Sequence, residues 1–340
     1  MTTLWDTTAG EVVSTLGQER RTAGAVTTGI VLTLVTIVDD RSARAAMEAA
    51  AVGAAAHPCR LLVVIRRQPD LHEARLDAEV TVGGQLGAGE SVVLRVYGKL
   101  AHHAESVVLP LLAPDTPVVT WWYGRPPDRI GDDPLGLLAG RRITDAAGAD
   151  DPVASLRQRF RDYSPGDTDL AWSRLTPWRT LLASAFDTVS SHPASARVSA
   201  EEGNPSAHLL AAWLRSRLGV PAEVETSGGP GITAVSVELP EGALSIDRPD
   251  GRNATIHRPG APERVVPLVR RDVGDLLGEE LRRLDADEPY ADALATLASK
   301  DRAPSPTGPV TVAGATAKGG APAPAEVGPH SPLDPPGTGT

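Results

Sequence analysis

The chain has 340 residues, of which 41% are hydrophobic, and it carries a formal net charge of −10. This length predicts two cores of ordinary size, and the acidic balance argues against nucleic-acid binding, which needs a positive surface. A single cysteine, Cys59, excludes an internal disulfide and a zinc site built from several cysteines. No apolar run approaches the roughly 20 residues of a membrane helix, and residues 1–6 lack a secretion signal, so we expect a cytoplasmic protein with no membrane partner.

The first half of the chain alternates between helix and strand patterns. Thr8 and Glu11 form a capping-box pattern that predicts a helix to about residue 21. A run of β-branched residues then predicts a buried strand at 28–38. We expect an N-terminal mixed α/β domain over residues 1–165, continuing with a helix at 42–56, a strand at 60–67, a hairpin of strands at 76–82 and 91–98, a helix at 102–112 and a strand at 118–122.

Residues 84–91 have the glycine spacing of a phosphate-binding loop but lack its chemistry. Glu90 stands where such a loop needs a lysine, and a strand pattern follows where a helix is required. We therefore expect an ordinary hairpin loop.

The second half begins after turn signals at 164–167. Helices are expected before it at 134–140 and 153–163. Beyond it, a C-terminal mixed α/β domain over 166–299 is predicted, with helices packed on a sheet. Its predicted elements are a helix from Pro177, a strand at 196–200, a helix at 205–218, strands at 221–226, 231–239, 242–248 and 252–258, a fifth candidate strand at 264–270, and helices at 272–284 and 290–298.

Residues 300–340 are rich in proline, glycine and alanine and hold almost no large apolar side chains. Such a segment cannot offset its ordering entropy by burial. We expect a disordered C-terminal tail.

Two tryptophans and two arginines fall within residues 169–179 of a chain that is 4% aromatic. Trp178 lies on the apolar stripe of the helix predicted from Pro177, so we expect it in the core. Trp172, Arg174 and Arg179 lie off that stripe. Because tryptophan and arginine often dominate interface energies, these three residues are candidates for a partner surface.

Trp121 and Trp122 end a predicted strand. Consecutive strand residues point to opposite faces, so we expect one indole in the core and its neighbour exposed. An exposed tryptophan at a strand end would be an interface anchor, and both residues are therefore candidates.

Arg157, Arg159 and Arg161 lie together on the helix predicted at 153–163. Two interpretations remain open for them. They can form a solvated or salt-bridged face, or a patch that binds an anion or an acidic partner.

Five sequence motifs, taken in order, resemble the OpcA family of glucose-6-phosphate dehydrogenase assembly or effector proteins over about residues 1–297. The motifs are SARAAM (42–47), HPCR (57–60), PVVTWW (117–122), DLAWSRLTPWR (169–179) and NPSAHLLAAWLRSRLG (204–219). The resemblance implies a non-catalytic protein that binds the first enzyme of the oxidative pentose phosphate route. It brings no catalytic residue, cofactor site or metal ligand. For some members the resemblance implies regulation through paired cysteines, but this chain has no second cysteine to form such a pair.

Several motifs of catalysis are absent from the sequence, including the serine nucleophile elbow, the zinc helix and the glycine-rich dinucleotide loop. We accordingly assign no catalytic residue, cofactor or metal. The alternative is a sugar-phosphate-binding protein or enzyme that uses Arg157, Arg159 and Arg161. A preference for arginine over lysine, with abundant alanine, glycine and proline, suggests a GC-rich actinobacterial source.

Overall fold

The computed structural model describes residues 1–23, 29–55, 57–83, 89–187 and 189–302. Met1–Arg302 forms one compact unit. The last helix continues to Arg302, past the predicted start of the tail, and residues 303–340 lie outside the described part of the chain. Within the described residues, no helix is both long and apolar enough to cross a membrane.

The described residues form two β-sheets. The strands of the first sheet are Thr2–Leu4 (β1), Leu32–Asp39 (β2), Cys59–Arg67 (β3), Arg75–Val82 (β4), Glu90–Tyr97 (β5), Val118–Trp122 (β6), Arg141–Thr144 (β7) and Asp167–Asp169 (β8). The strands of the second are Ser195–Ala200 (β9), Ala222–Thr226 (β10), Ile232–Leu239 (β11), Gly242–Asp247 (β12), Asn253–His257 (β13) and Arg264–Pro267 (β14).

Helices connect these strands and cover the sheets. They are Ala9–Thr22 (α1), Ala43–Ala55 (α2), Glu105–Val108 (α3), Pro134–Leu137 (α4), Pro152–Asp162 (α5), Leu170–Ser173 (α6), Thr176–Phe186 (α7), Pro205–Leu218 (α8), Val273–Glu280 (α9) and Glu288–Arg302 (α10).

The first sheet has the strand order β1-β4-β5-β3-β2-β6-β7-β8. The six strands β5, β3, β2, β6, β7 and β8 pair in parallel. The hairpin strand β4 and the short β1 add an antiparallel edge. The six parallel strands follow the order of the doubly wound dinucleotide-binding fold. Successive strands are added outward from β2 on one side and outward from β6 on the other. The chain connections therefore diverge between β2 and β6, which opens a crevice at the carboxyl ends of these two strands.

Both faces of the first sheet are buried, as expected for a parallel sheet that helices cover on two sides. Leu62 on one face packs in a cluster with Val12 of α1. The neighbouring Leu61, on the other face, packs with Ala46 of α2 and Leu277 of α9. Helix α9 belongs to the C-terminal half of the chain, so both halves contribute to the core of this sheet.

The second sheet has the order β10-β9-β11-β12-β13-β14 and is antiparallel except for the pair β10 and β9. One face packs against helices. Val198, Val235 and Val237 are fully buried there. Arg197 and Glu238, on the opposite face, are exposed, so the sheet has the alternation of a half-solvated antiparallel sheet.

The hairpin predicted around Glu90 is confirmed, although residues 84–88 of its loop lie outside the described residues. Glu90 is 1% exposed. Arg20 Nη2 donates to its Oε2 at 2.5 Å and Arg60 Nε at 2.7 Å. The carboxylate that replaces a phosphate loop's lysine therefore binds two arginines, the buried Arg60 and the partly exposed Arg20.

The structure corrects several predicted elements. In place of the helix predicted at 102–112, the short α3 lies between 3₁₀ turns at Gly98–His102 and Leu109–Leu111. Pro110, which has no N–H, stops α3 from continuing as an α-helix. Helix α7 begins at Thr176 itself, with Leu175 as its N-cap. Strand β8 extends the first sheet past residue 165. The division into separate domains at 165 and 166 stays a prediction.

Candidate functional site

Trp121 and Trp122 are both buried, with exposed fractions of 0% and 1%. The expectation that one of them is exposed is wrong, because helices cover both faces of the first sheet. Trp121 packs edge-on against Tyr123, with ring centroids 5.3 Å apart. Trp122 belongs to the cluster on the other face. Neither indole is available as a surface anchor.

Trp172 is also buried, at 1% exposure, so the expectation that it faces a partner is wrong. Its Nε1 donates to Asp287 at 2.9 Å. The guanidinium of Arg179 lies 3.8 Å from the ring centroid, and the ring of Tyr290 lies 5.7 Å away. The indole therefore joins α6 to α10. Trp178 lies in the core at 2% exposure, as predicted.

Arg174 and Arg179 are partly exposed, yet both have internal partners. Arg174 donates to both carboxylate oxygens of Asp145, at 2.7 and 2.9 Å. Arg179 donates to Thr176 at 3.1 Å in addition to its contact with Trp172. Their part in a partner surface stays a prediction.

The three arginines of α5 do not form a common surface. Arg159 is 4% exposed and donates to the carbonyl oxygens of Pro127 and Asp128, at 3.0 and 3.1 Å. It also lies 3.3 Å from Asp162. Arg157 and Arg161 are exposed. The predicted anion patch therefore loses its central residue, which instead fixes the segment after β6.

The crevice between β2 and β6 is where a doubly wound fold normally binds a dinucleotide. It measures about 590 Å³, and four aspartates and two arginines line it: Asp39, Asp128, Asp150, Asp151, Arg125 and Arg159. The turn from β2 to α2 contains no glycine. Asp39 Oδ1 accepts a hydrogen bond from the Ser42 N–H at 3.0 Å.

This geometry does not fit a pyrophosphate. In a dinucleotide site the glycine-rich turn lets the phosphates approach the start of the first helix. Here the carboxylate of Asp39 already lies at that point, and three further carboxylates line the crevice. Arg159 is paired with Asp162, so the four carboxylates outnumber the remaining arginine, Arg125, and their net negative charge disfavours phosphate oxygens. Elsewhere in the described residues, no cluster of histidine, cysteine and carboxylates is suited to a metal ion.

Two family models match the chain consecutively. The model described as the glucose-6-phosphate dehydrogenase subunit N-terminal domain matches residues 50–161, and the corresponding C-terminal domain model matches 165–294. Together they span most of the chain. The chain belongs to the OpcA family.

Curated relatives carry the same family name. A protein named putative OxPP cycle protein OpcA from Synechococcus elongatus is 29% identical over 222 residues, which is 62% of this chain and 46% of the relative. Another of that name, from Nostoc punctiforme, is 25% identical over 260 residues, 72% of this chain and 53% of the relative. The chain thus spans about half the length of the curated relatives it matches. The actinobacterial source stays a prediction.

Similar solved structures are more distant. A 3-ketoreductase from Actinomadura kijaniata, in complex with TDP-benzene and NADP, gives a TM-score of 0.44 at 11% identity. An NAD binding oxidoreductase from Klebsiella pneumoniae gives 0.46 at 11%. Each comparison covers 79% of this chain and 95% of the other. At these scores the two structures say nothing of this chain's activity.

In this OpcA-family chain the recognisable motifs are mainly structural. Residues 169–179 form α6 and the start of α7, and residues 204–219 form α8 with its caps. Within them Trp172, Ser173 and Leu209 are buried. These two distinctive sequence motifs therefore lie where helices pack against one another.

Trp5, which the sequence reasoning did not select, is exposed. Its exposed fraction is 67%. It follows β1, the edge strand of the first sheet, which pairs with β4 on its inner side. One sequence signal for this exposure was available: Trp5 lies shortly before the capping-box residues and belongs to no apolar stripe.

Proposed function

We propose that this OpcA-family chain binds glucose-6-phosphate dehydrogenase in the cytoplasm and changes its assembly or activity without chemistry of its own. The observation that carries the proposal is the ordered match of both halves to models named for a subunit of that enzyme.

The crevice between β2 and β6 supports the non-catalytic part of the proposal. A dehydrogenase must hold a nicotinamide dinucleotide, and this fold would hold it at that crevice. The Asp39 carboxylate at the start of α2 and the other acidic lining residues disfavour its phosphates. The chain therefore contributes a binding surface to the enzyme.

Trp5 is our candidate for a central contact in that surface. Tryptophan is enriched among residues that dominate binding energy, and an edge strand offers unpaired backbone groups to a second chain. At Trp5 these two features coincide. Arg174 and Arg179 remain candidates for a second contact.

Trp5→Ala tests this assignment, with Leu137→Ala as the matched control because Leu137 is 71% exposed on α4, away from the edge strand. Sedimentation velocity of the full chain with the dehydrogenase of the same organism measures complex formation. We expect Trp5→Ala to weaken binding by about tenfold or more, and Leu137→Ala by less than about twofold.

Two results would count against the proposal at different levels. If the unaltered chain forms no complex at micromolar concentration, the partner is wrong. If a complex forms and Trp5→Ala binds as tightly as Leu137→Ala, the partner stands and the contact lies elsewhere.

A further inference from the structure

A cleft of about 350 Å³ lies where three helices begin. First-turn residues of α7, α8 and α9, namely Pro177, Ser206 and Val273, line it. Helix N-termini carry partial positive charge and unpaired N–H groups, which favour anions. Three such ends at one cleft give it a positive potential before any side chain is considered.

Two of these helices leave their first N–H groups uncapped. The N-cap residues Leu175 of α7 and Asp272 of α9 form no side-chain cap hydrogen bond. Asn204, by contrast, caps α8 by accepting from the Ala207 N–H at 3.1 Å. First-turn N–H groups of α9 therefore lack a side-chain cap at the cleft, whereas Pro177 of α7 has no N–H to donate.

Four arginines line the cleft, against one acidic residue, Asp272. Arg174 is neutralised by Asp145, and Arg271 by Glu279. The remaining two, Arg248 and Arg270, form no ion pair within the part of the chain that the structure describes. The cleft thus has a surplus of positive charge in a chain whose net charge is −10.

Arg248 is held in place by the protein. It is 5% exposed, donates to the carbonyl oxygens of Leu268 and Ile232 at 3.1 and 2.7 Å, and lies 4.9 Å from the ring centroid of Trp178. Its Nε has no hydrogen-bond partner among the described residues. Arg248 therefore lines the cleft as a buried guanidinium whose charge no carboxylate of the described residues compensates by an ion pair.

Arg270 lies beside Arg248 and is exposed. A Cβ built on Gly231 would lie 3.5 Å from Nη2 of Arg248 and 3.9 Å from Cζ of Arg270, so the two guanidinium groups flank the same glycine. Burial, and then the charge of Arg270, lowers the pKa of Arg248. An anion between the two groups would relieve their mutual repulsion.

We propose that this cleft binds a small phosphorylated organic molecule. The phosphate lies between Arg248, Arg270 and the start of α9. The carbon part of the ligand lies against the apolar lining residues Leu175, Ile232, Val269 and Val273. The volume is that of a site for one small ligand, and the assignment does not depend on the dehydrogenase.

Calorimetric titration of the full chain with glucose 6-phosphate, inorganic phosphate and glucose, at constant ionic strength, tests the proposal. We expect saturable binding of glucose 6-phosphate, weaker saturable binding of inorganic phosphate and none of glucose. Arg270→Glu should weaken glucose 6-phosphate binding by about tenfold or more, because a charge-assisted contact is reversed. Arg264→Glu is the matched control, since Arg264 is exposed on β14 outside the cleft.

Arg270 is exposed, so its replacement should leave the thermal midpoint of the unliganded chain unchanged, which separates loss of binding from loss of folding. The proposal is overturned if neither phosphate compound binds saturably. It is equally overturned if Arg270→Glu and Arg264→Glu bind glucose 6-phosphate alike, since the contact would then be general charge attraction.

Discussion

Cys59 shows how burial determines the chemistry of a single residue. It opens β3 and is 2% exposed. Burial raises the pKa of the Cys59 thiol to about 12, from an ordinary value of 9.0. Because the thiolate is the reactive form, this cysteine is poorly suited to redox sensing in the folded protein.

We therefore predict that Cys59 does not react with a thiol reagent at pH 8 until the chain unfolds. The thiolate fraction at that pH is about a thousandfold lower than for an ordinary thiol. Labelling with a chromogenic disulfide, with and without guanidinium, measures this, and the denatured chain supplies the control of one thiol per chain. Rapid labelling of the folded chain would contradict the burial of Cys59.

The raised pKa of Cys59 also determines how its contribution to stability changes with pH. The folded state keeps the Cys59 thiol protonated, so its contribution to stability is fully present below the ordinary pKa of 9.0. It is lost as the pH rises from there through about 12, because the unfolded chain releases the proton first.

At the scale of elements, the contact between α2 and α9 joins the C-terminal half to the first sheet. Glycines permit a close crossing there. A Cβ built on Gly274 would lie 2.6 Å from Cβ of Val52 and 3.0 Å from the carbonyl oxygen of Ala49. One built on Gly53 would lie 3.0 Å from Leu277. The two helices therefore pack with backbone against backbone at this point.

Gly274→Ala should destabilise the protein by about 1–3 kcal/mol, because the added methyl group forces the two helices apart. The matched control is Gly10→Ala in α1, where a Cβ meets no atom closer than 4.0 Å. That change should stabilise by roughly 0.5–1 kcal/mol through helix propensity alone. Chemical denaturation measures the free energy of unfolding of both variants. If the two substitutions change it equally, α2 and α9 do not cross closely.

Elements with local signals were predictable from sequence. The capping box of Thr8 and Glu11 forms as expected. Helix α8 spans 205–218 as predicted, with Asn204 as its N-cap and Gly219, whose φ is +69°, just past its end. Strands β7 and β8 were missed, since three or four residues carry too little periodicity and their extended form depends on pairing with neighbours.

The candidate site residues were less predictable, for a physical reason. A tryptophan beside arginines is equally compatible with an interface and with the packing of helices. Only tertiary contacts separate the two, such as Asp287 on the indole of Trp172. The cleft around Arg248 and Arg270 was likewise invisible, because its residues are far apart in sequence and meet only when α7, α8 and α9 assemble.

At the scale of the whole molecule, buried charges tie the two halves together. Glu280 of α9 is 5% exposed, and it accepts hydrogen bonds from Arg141 of β7 and from Ser173 at 2.6 Å. Arg141 also donates to the carbonyl oxygen of Asp285 at 2.8 Å. The surface offered to a partner is thus supported by one connected structure.

The central claim is that this structure acts on glucose-6-phosphate dehydrogenase by binding alone. The most direct test titrates the full chain into a fixed amount of the dehydrogenase from the same organism and measures initial rates. We predict a saturable change in the kcat or KM of the dehydrogenase at micromolar concentrations of the chain, because an effector must bind one state of the enzyme better than another. We predict no turnover by the chain alone. The claim is contradicted if a saturating concentration of the chain changes neither the kinetics nor the assembly of the enzyme. It is also contradicted if the isolated chain shows turnover.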